Sequence, residues 1–333
     1  MESKKLRIAL LLGGTSSERE ISKSSSASIY TALLSLGYEV VLIDPAYGLN
    51  QPSDAKQFFE KKDFSEISNA NYVKALNSDL LNNVDLVFIG LHGLWGEDGT
   101  VQSLLELRGL KYTGSKVLSS AISMDKIMSK ILFGHYGIST PKWLSYSKTT
   151  SDIEAIKSNI KEEIGFPCVI KPNDQGSTVG LSIVKSEEEI EAAVNLGFQY
   201  SSKILIEEYI DGYEMTVGII ENKALPVLEI KPKHGIYDFE CKYTSGMSEY
   251  IVPADIPKEA EQLLQSQALL AFTSLECEIY GRIDFRVSKD YKIYCLEVNT
   301  LPGMTATSLV PKMAKASGIM FEDLIDRIIK LSL

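Results

Sequence analysis

The feature that most constrains the fold of this chain is a pair of alternating segments near its carboxyl end. Apolar and polar residues alternate through residues 281–287 and again through 293–299, and the polar turn Ser288-Lys289-Asp290 lies between them. A period of two is typical of half-buried strands. Two such runs joined by a short polar turn predict a β-hairpin, and therefore a sheet in this part of the chain.

One face of the predicted hairpin gathers polar side chains. Residues two apart share a strand face, so Arg282 and Asp284 point the same way, as do Glu297 and Asn299. Oxygen ligands without His or Cys suit a hard cation such as Mg²⁺. On spacing alone a solvated hairpin face is the commoner case. The turn at 300–304 favours a binding site, because it brings backbone N–H groups beside the acidic patch.

Length and composition describe an ordinary globular protein. The chain has 333 residues, 44% of them hydrophobic and 23% charged, which predicts two or three domains. The net charge of −10 argues against a general nucleic-acid or membrane-surface binder. The four cysteines lie far apart without CxxC spacing, and the first apolar run is too short for a signal peptide or membrane span. We therefore expect a cytoplasmic α/β protein with reduced thiols.

The amino-terminal region has the pattern of a βαβ unit. An apolar run at 6–12 ends in Gly13-Gly14-Thr15, helical spacing follows, and 38–43 form a second buried strand. The glycine turn resembles a phosphate site, but it lacks GxGxxG and is followed by Glu18 and Glu20. We interpret it as a tight strand-to-helix turn and do not expect nucleotide binding there.

A third strand at 85–90 leads into a glycine-rich loop that contains His92. Loops after parallel strands gather at the carboxyl edge of a sheet, where ligands bind. A lone loop histidine is more often structural, but the glycines around His92 permit close approach of a ligand to the backbone. His92 is therefore a candidate binding residue. Residues 46–80 are weakly patterned and predict no particular structure.

A second glycine loop lies beyond a domain boundary that we expect near residue 120. A strand at 167–172 reaches Lys171, the loop 173–180 carries glycines and hydroxyls, and 181–184 return as a strand. Such a loop can fold over phosphates and donate backbone N–H groups, with Lys171 supplying positive charge. The alternative is an ordinary hairpin turn, for which eight residues is long.

The remaining segments predict further strands and a lid. Residues 215–220 and 224–230 form an antiparallel hairpin, and the polar, aromatic stretch 231–250 is interpreted as an active-site lid. A long amphipathic helix is expected over 259–280, followed by the hairpin and two short helices.

Six segments form an ordered set over nearly the whole chain. They are 13–20, 91–93, 96–100, 123–126, 281–284 and 297–304. Each is weak alone, but together they resemble the motifs of the D-alanine–D-alanine ligases of the ATP-grasp superfamily. The resemblance implies an α/β and α+β chain, an ATP-grasp fold with an N-terminal Rossmann-like parallel-sheet domain. It implies domains at 1–120, 121–212 and 213–333, with ATP between the last two.

The resemblance also implies which residues bind ATP and metal. Lys126 and Lys171 match lysines that contact the phosphates. The residues that match adenine and ribose contacts are Glu207, Glu214 and the backbone of Tyr209 and Ile210. The residues that match the ligands of two Mg²⁺ ions, for which Mn²⁺ is a possible substitute, are Asp284, Glu297 and Asn299.

Substrate contacts follow in the same way. Glu18 matches the carboxylate that holds the ammonium of the first D-alanine, and Ser177 and Tyr243 match its hydrogen-bonding partners. His92 is the further substrate-binding candidate. The groups that match the site for the second substrate's carboxylate are Lys242, Ser308 and the backbone of Leu309. The oxyanion stabilisers are matched by Arg282 and the Gly303 N–H.

The implied activity is ATP-dependent formation of D-alanyl-D-alanine through an acyl phosphate, for peptidoglycan precursors. Ester-forming relatives typically have His at the position of Tyr243, so the tyrosine implies an amino-acid acceptor. The alternatives are a ligase for another acceptor, D-serine or D-lactate, and a non-catalytic nucleotide-binding homologue. The resemblance further implies a homodimer that binds neither nucleic acid nor membrane.

Overall fold

Three parallel strands form the first sheet of the computed structural model, which describes residues 5–233, 241, 244 and 246–333. The order is β2-β1-β3. The elements are β1 (Arg7–Leu11), α1 (Arg19–Ser35), β2 (Glu39–Ile43) and β3 (Leu86–Ile89). The predicted βαβ unit is confirmed, since β1 pairs in parallel with β2 from Arg7↔Glu39 to Leu11↔Ile43.

The weakly patterned segment after β2 is ordered but mostly irregular. It contains 3₁₀ turns at Pro45–Tyr47, Ala55–Phe59 and Asp79–Leu81, and the short helix α2 (Ala70–Leu76). Beyond β3 come α3 (Thr100–Leu107) and α4 (Val117–Met124). Helix α4 runs through residue 120, and the domain boundaries of the sequence analysis stay predictions.

The second sheet is antiparallel with the order β4-β7-β5-β6. Its strands are β4 (Trp143–Ser147), β5 (Cys168–Pro172), β6 (Ser182–Val184) and β7 (Lys203–Glu208). The helices of this region are α5 (Lys126–His135), α6 (Ile153–Asn159) with a π-helical extension at Ile160–Ile164, and α7 (Ile190–Tyr200) after a 3₁₀ turn at Glu187–Glu189. The predicted strand, glycine loop and returning strand are confirmed, because β5 pairs antiparallel with β6.

The third sheet has the order β11-β10-β8-β12-β13, with β9 beside β8. Its strands are β8 (Gly212–Ile220), β9 (Lys223–Ala224), β10 (Leu228–Pro232), β11 (Ser248–Ile251), β12 (Tyr280–Ser288) and β13 (Ile293–Asn299). The helices are α8 (Lys258–Ser274), α9 (Leu309–Ala316) and α10 (Phe321–Ser332). The predicted end of the long helix at residue 280 is wrong: Glu276 has a φ of 55°, and Tyr280 already begins β12. Strands β10 and β11 also take the two ends of the predicted lid, the middle of which lies outside the described residues.

The hairpin of β12 and β13 is confirmed, with Arg282 opposite Asn299 and Asp284 opposite Glu297. The register then shifts, so that Phe285 pairs with Cys295 and Leu296 is the extra residue of a β-bulge. From Gly281 to Ser288 the buried and half-buried residues of β12 alternate, as the period of two predicts.

Apolar packing joins the two ends of the chain. Ile8 and Leu33 of the first βαβ unit share a buried cluster with Val310 of α9 and with Ile325 and Ile328 of α10. Each such side chain contributes about 1.5–3 kcal/mol when fully buried. A second cluster lies between the third sheet and α8, and a third cluster lies under the second sheet. No helix in the described part of the chain is long and apolar enough to cross a membrane.

Candidate active site

Two cavities meet where the three sheets face one another. The larger, about 320 Å³, is here called the acidic cavity, and it is lined by Glu18, His92, Glu97, Arg282, Asn299, Gly303, Ser308 and Leu309. The smaller, about 150 Å³, is called the lysine cavity, and it is lined by Lys126, Lys171, Glu207, Tyr209, Ile210, Glu214, Asp284 and Arg286. Gly176, Ser177 and Glu297 line both. All the site residues that the sequence predicted within the described ranges line one of these cavities; Lys242 and Tyr243 lie outside the described residues.

Glu18 lies where loops from three parts of the chain converge. It directly precedes α1, and the Ser177 hydroxyl of the second glycine loop donates a hydrogen bond to its Oε1. A Cβ added at Gly93 would lie 2.9 Å from Glu18 Oε2, and one at Gly176 would lie 3.0 Å from the same oxygen. The glycines therefore let two backbones approach the carboxylate that lines the acidic cavity.

His92 is held from three sides at the floor of the acidic cavity. Its Nε2 lies 3.1 Å from Ser25 Oγ, and its Nδ1 lies 3.0 Å from the Leu301 carbonyl and 3.4 Å from Glu97 Oε1. Burial alone would lower the pKa of His92, but the hydrogen bond and charge of Glu97, with the charge of Glu18, raise it. Burial raises the pKa of Glu97. The sequence analysis missed Glu97 and Ser25, although Glu97 stands in the same loop as His92.

A buried carboxylate between two lysines forms the floor of the lysine cavity. Glu207 Oε2 lies 2.5 Å from Lys171 Nζ, and Glu207 Oε1 is paired with Lys130. Burial would raise the pKa of Glu207, but the charges of Lys130 and Lys171 outweigh it and lower that pKa to about 2. Lys130 was missed; its spacing of four from Lys126 on α5 was the available signal, because such residues share a helix face.

Lys126 connects the lysine cavity with the shared wall. Its Nζ donates a 2.8 Å hydrogen bond to the Gln175 carbonyl and lies 3.1 Å from Glu297 Oε2. The second glycine loop is thus attached to the start of α5. Within that loop Ser177 and Thr178 have φ values of 49° and 66°, which is strained backbone for residues other than glycine.

Arg286 orders the far wall of the lysine cavity. It donates hydrogen bonds of 3.1 and 3.0 Å to the Ile210 carbonyl and one of 3.0 Å to the Gly212 carbonyl, and it lies 3.5 Å from Glu214 Oε2. The sequence analysis missed Arg286. Period two was the signal, because Arg286 continues the face of Arg282 and Asp284 along β12. The apolar part of the wall of this cavity includes Val169, Leu181, Ile183 and Leu296.

The predicted polar patch of the hairpin is confirmed. Arg282 binds Asp284 through two hydrogen bonds of 2.8 and 2.7 Å. Asn299 Nδ2 and Thr216 Oγ1 donate to the same carboxylate at 3.0 and 2.7 Å. The arginine faces the acidic cavity and Asp284 faces the lysine cavity, so the patch straddles the wall between them.

The donor set of this patch fits Mg²⁺. Asp284, Glu297 and Asn299 offer only oxygen ligands, and Mg²⁺ is usually held by one or two carboxylates plus waters and substrate phosphates. In the described ranges no three His, Cys, Asp or Glu residues gather as a self-sufficient metal site. The patch is therefore of the kind that is completed by phosphate oxygens.

The amino terminus of α9 also lines the acidic cavity. Ser308 precedes the helix, Leu309 is its first residue, and the Ser308 side chain makes no capping hydrogen bond to the helix. Instead Ser308 Oγ accepts a 3.0 Å hydrogen bond from the Thr305 N–H. Backbone N–H groups at a helix amino terminus attract anions. The lining of the cavity thus includes both a carboxylate and a helix amino terminus that suits an anion.

Comparisons with known proteins agree over nearly the whole chain. The family model described as D-ala D-ala ligase N-terminus matches residues 7–115, and the model described as D-ala D-ala ligase C-terminus matches residues 132–330. The D-alanine–D-alanine ligase of Geobacter sulfurreducens is 41% identical, over 98% of this chain and 94% of the relative. That of Halalkalibacterium halodurans is also 41% identical, over 98% and 99%.

Solved structures give the same result. The D-alanine–D-alanine ligase of Bacillus anthracis is similar with a TM-score of 0.79 and 34% identity, over 98% of this chain and 97% of that one. Its complex with ATP has a TM-score of 0.77 at 33% identity, over the same shares. The VanG D-Ala:D-Ser ligase of Enterococcus faecalis has a TM-score of 0.83 at 29% identity, over 99% of this chain and 100% of that one.

Proposed function

The chain belongs to the D-alanine–D-alanine ligase family, and from this premise we propose that its two cavities form one active site for joining D-alanine to D-alanine. The protein is an ADP-forming ligase with an ATP-grasp fold, and its dipeptide product serves peptidoglycan synthesis. The observation that carries the assignment of the site is the shared wall. Ser177 and Glu297 border both cavities, so groups bound on the two sides meet there.

The first D-alanine binds in the acidic cavity with its ammonium at Glu18. An ammonium matches this carboxylate in charge, whereas a phosphate would be repelled by it. Ser177 fixes one oxygen of Glu18, and His92 with Glu97 lines the neighbouring wall. Tyr243, outside the described residues, is proposed as the second partner of Glu18. The substrate carboxylate is then directed toward the shared wall.

ATP binds in the lysine cavity. Its apolar walls suit a purine, and the backbone of Tyr209 and Ile210 with the side chain of Glu214 borders them. Lys171 and Lys126 offer charge to the phosphates, and Lys126 stands beside Glu297 at the shared wall. Glu207 contacts both Lys130 and Lys171, so it orients Lys171; its adenine contact stays a prediction.

The enzyme uses Mg²⁺, and Asp284, Glu297 and Asn299 would hold it. When bound, Mg²⁺ offsets negative charge on the transferring phosphoryl group. Arg282, which chelates Asp284, orients this carboxylate from the acidic side of the wall. Thr216 holds the same carboxylate from β8.

The reaction then has two steps. A carboxylate oxygen of the first D-alanine attacks the γ-phosphorus of ATP, so that ADP leaves and an acyl phosphate forms. The amine of the second D-alanine attacks the acyl carbon, and phosphate leaves as the peptide bond forms. Arg282 and the Gly303 N–H stabilise the oxyanion. We expect closure of the loops at 173–180 and 231–250 to exclude water, which would otherwise hydrolyse the acyl phosphate.

The second D-alanine places its carboxylate at the amino terminus of α9. Ser308 and the Leu309 N–H lie at that end of the acidic cavity, and Lys242 adds charge from outside the described residues. This arrangement puts its amine toward Arg282 and the acyl carbon. The carboxylate–to–helix contact therefore orients the nucleophile.

The proposal also covers the domain limits, the oligomeric state and the cellular location of the protein. We assign the domains to residues 1–120, 121–212 and 213–333, and we assign a homodimer on the family resemblance. The net charge of −10 supports a protein that binds neither nucleic acid nor membrane. All four cysteines are buried free thiols, which supports a cytoplasmic location. Sedimentation at several concentrations tests the dimer, which a purely monomeric species would exclude.

ADP release measured in parallel with D-alanine, D-serine and D-lactate tests the activity. D-Alanine alone is expected to give turnover, because it fills both substrate positions. No release with D-alanine would overturn the proposal. A rate that needs D-serine would move the acceptor assignment to the class of the VanG relative.

A further inference from the structure

The turn before Glu18 is bound by a segment that no step of the reaction uses. Gly14 N–H donates a 3.1 Å hydrogen bond to Asp44 Oδ1, and Thr15 N–H donates one of 3.0 Å to the Tyr72 hydroxyl. The Thr15 hydroxyl also bonds Asn69. The turn 13–17 therefore has partners on β2's carboxyl end and on α2, in the region that sequence patterns left unexplained.

Arg19 connects this turn to the same segment. Its guanidinium donates to the Gly14 carbonyl, lies 2.7 Å from Asp44 Oδ2 and donates a 2.9 Å hydrogen bond from Nε to Asp63 Oδ1. It also lies over the Tyr47 ring, 5.1 Å from the centroid. The Arg19 side chain is 9% exposed and that of Asp44 is 1% exposed, so this pair is shielded from solvent, whereas the Asp63 side chain is 35% exposed.

The network has an excess of negative charge. Lys23 Nζ lies 3.0 Å from Asp63 Oδ1 and 3.1 Å from Glu20 Oε1, so two cations and three carboxylates meet behind the start of α1. Glu18 precedes Arg19 in the chain but faces the acidic cavity instead. Because the network has no excess of positive charge, it does not weaken the attraction of Glu18 for a cation in the cavity.

We propose that residues 44–72, the anchor segment, position Glu18 for the ammonium of the first substrate, with Arg19, Asp63 and Tyr72 as positioning residues. The inference rests on the proposed role of Glu18. A carboxylate at the end of a glycine turn has a fixed place only when the turn is fixed, and small misplacements of binding groups are costly. The anchor segment fixes the backbone at Gly14 and Thr15 and, through Arg19, the first turn of α1.

Two variants distinguish the effect of the anchor segment on the backbone geometry near Glu18 from its effect on the local charge. Tyr72→Phe removes the acceptor of the Thr15 N–H without changing charge. Asp63→Asn keeps the shape but leaves Arg19 and Lys23 with less negative charge, which also weakens the attraction of Glu18 for an ammonium. Asp63→Glu is the conservative variant that restores the charge. Tyr38→Phe is the matched control, because it removes a tyrosine hydroxyl that donates to Asp326 at 2.6 Å far from the cavity.

The first half-reaction is measured by trapping the acyl phosphate with an excess of hydroxylamine, which competes with the second D-alanine. Hydroxylamine nitrogen bonds to the acyl carbon, phosphate leaves, and D-alanine hydroxamate is measured against D-alanine and ATP concentration. The KM for D-alanine is expected to rise about fivefold in Tyr72→Phe, the factor that matches loss of one net hydrogen bond. A larger rise, about tenfold or more, is expected in Asp63→Asn, with recovery in Asp63→Glu. The KM for ATP and the thermal midpoint should follow the Tyr38→Phe control.

The outcomes distinguish the two levels of inference. A wild-type enzyme that forms no hydroxamate overturns the proposed function itself. An active wild type together with unchanged D-alanine KM in both variants overturns the positioning role. Equal rises in the KM for D-alanine and for ATP, with lowered thermal midpoints, would show a general structural role and also overturn it.

Discussion

The two cavities solve opposite electrostatic problems. In the lysine cavity, Glu207 has two lysines against it, so these three groups leave one positive charge for a ligand. In the acidic cavity, Glu18 lies beside the contacting pair of His92 and Glu97. Lysines therefore face the proposed polyphosphate on one side, and a carboxylate faces the proposed ammonium on the other.

This difference in charge between the two cavities explains the role of the wall between them. Lysines on one side and a carboxylate on the other favour ligands of opposite sign, so the binding of each ligand should stabilise its own cavity. Glu297 and the Arg282–Asp284 pair stand at the boundary and face both fields. Substitutions that alter one cavity only, or the wall itself, should therefore have separable effects.

The largest effect is expected at the wall. Glu297→Gln removes a proposed metal ligand and the partner of Lys126, and turnover should fall on the order of a thousandfold because phosphoryl transfer depends on charge compensation. Circular dichroism should stay that of the wild type. Glu322→Gln, an exposed carboxylate on α10, is the control. Turnover near the wild-type rate would contradict the role of the wall.

The variant Glu207→Gln tests the charge arrangement of the lysine cavity. Two buried lysines would lose their carboxylate, and the free energy of unfolding should fall by about 3 kcal/mol or more. Urea unfolding measures the loss. The exposed pair of Lys157 and Glu154, 2.7 Å apart with Glu154 71% exposed, supplies the control Glu154→Gln, which should cost less than about 0.5 kcal/mol. Equal losses of unfolding free energy in the two variants would show that burial of Glu207 does not make its ion pairs more important for stability.

On the acidic side, Arg282→Lys keeps the charge but loses the planar fork that binds Asp284. We expect kcat to fall about a hundredfold, the usual cost of one oxyanion donor. The KM for ATP should change little. A large rise in the KM for ATP with unchanged kcat would instead place Arg282 in nucleotide binding.

Acid should destabilise the lysine cavity. The pKa of Glu207 is lowered from 4.5 to about 2, so its contribution to stability is present above pH 4.5 and is lost as the pH falls toward 2. Between pH 5 and pH 3 the wild type should lose about 2 kcal/mol of unfolding free energy relative to Glu207→Gln. Urea titrations of both proteins at the two pH values measure this difference. A constant difference between them would contradict the lowered pKa.

The smallest effect is expected at Gly93. Gly93→Ala places a Cβ against Glu18 Oε2 at a φ of 70°, whereas Gly137→Ala has the same backbone conformation, φ 71°, with open space around the Cβ. Both should lose about 1 kcal/mol of stability from backbone strain. Only Gly93→Ala should raise the KM for D-alanine, about fivefold. A rise in both would assign the effect to strain alone.

Local patterns predicted the elements that frame the site. The period of two gave the β12–β13 hairpin and the face shared by Arg282 and Asp284, and the glycine turn after β1 located the start of α1. These features depend on neighbours in sequence, which is why they were readable. The resemblance then supplied roles that no spacing could supply.

Features fixed by distant contacts were not readable. Asp63 is held by Arg19, 44 positions earlier, in a segment of 3₁₀ turns that has no period to detect. Helix α8 ends at Ser274 although the sequence stays amphipathic, because Cys277 is buried 3.5 Å from the Ser123 hydroxyl and Tyr280 is taken into the sheet. Tertiary packing overrode the local pattern in both places.

The bulge at Leu296 makes the length of β13 as important as its composition. Regular pairing would turn adjacent residues to opposite faces, but here Leu296 and Glu297 both line the lysine cavity, one as apolar wall and one as carboxylate. Replacing Leu296 by Met changes one apolar side chain of the cavity wall. Deleting Leu296 removes the bulge and therefore shifts the pairing register on one side of it. Insertions and deletions should therefore be tolerated at the exposed turn 289–292 and rejected within the arms. The number of residues in each arm of this hairpin therefore determines which side chains face the active site.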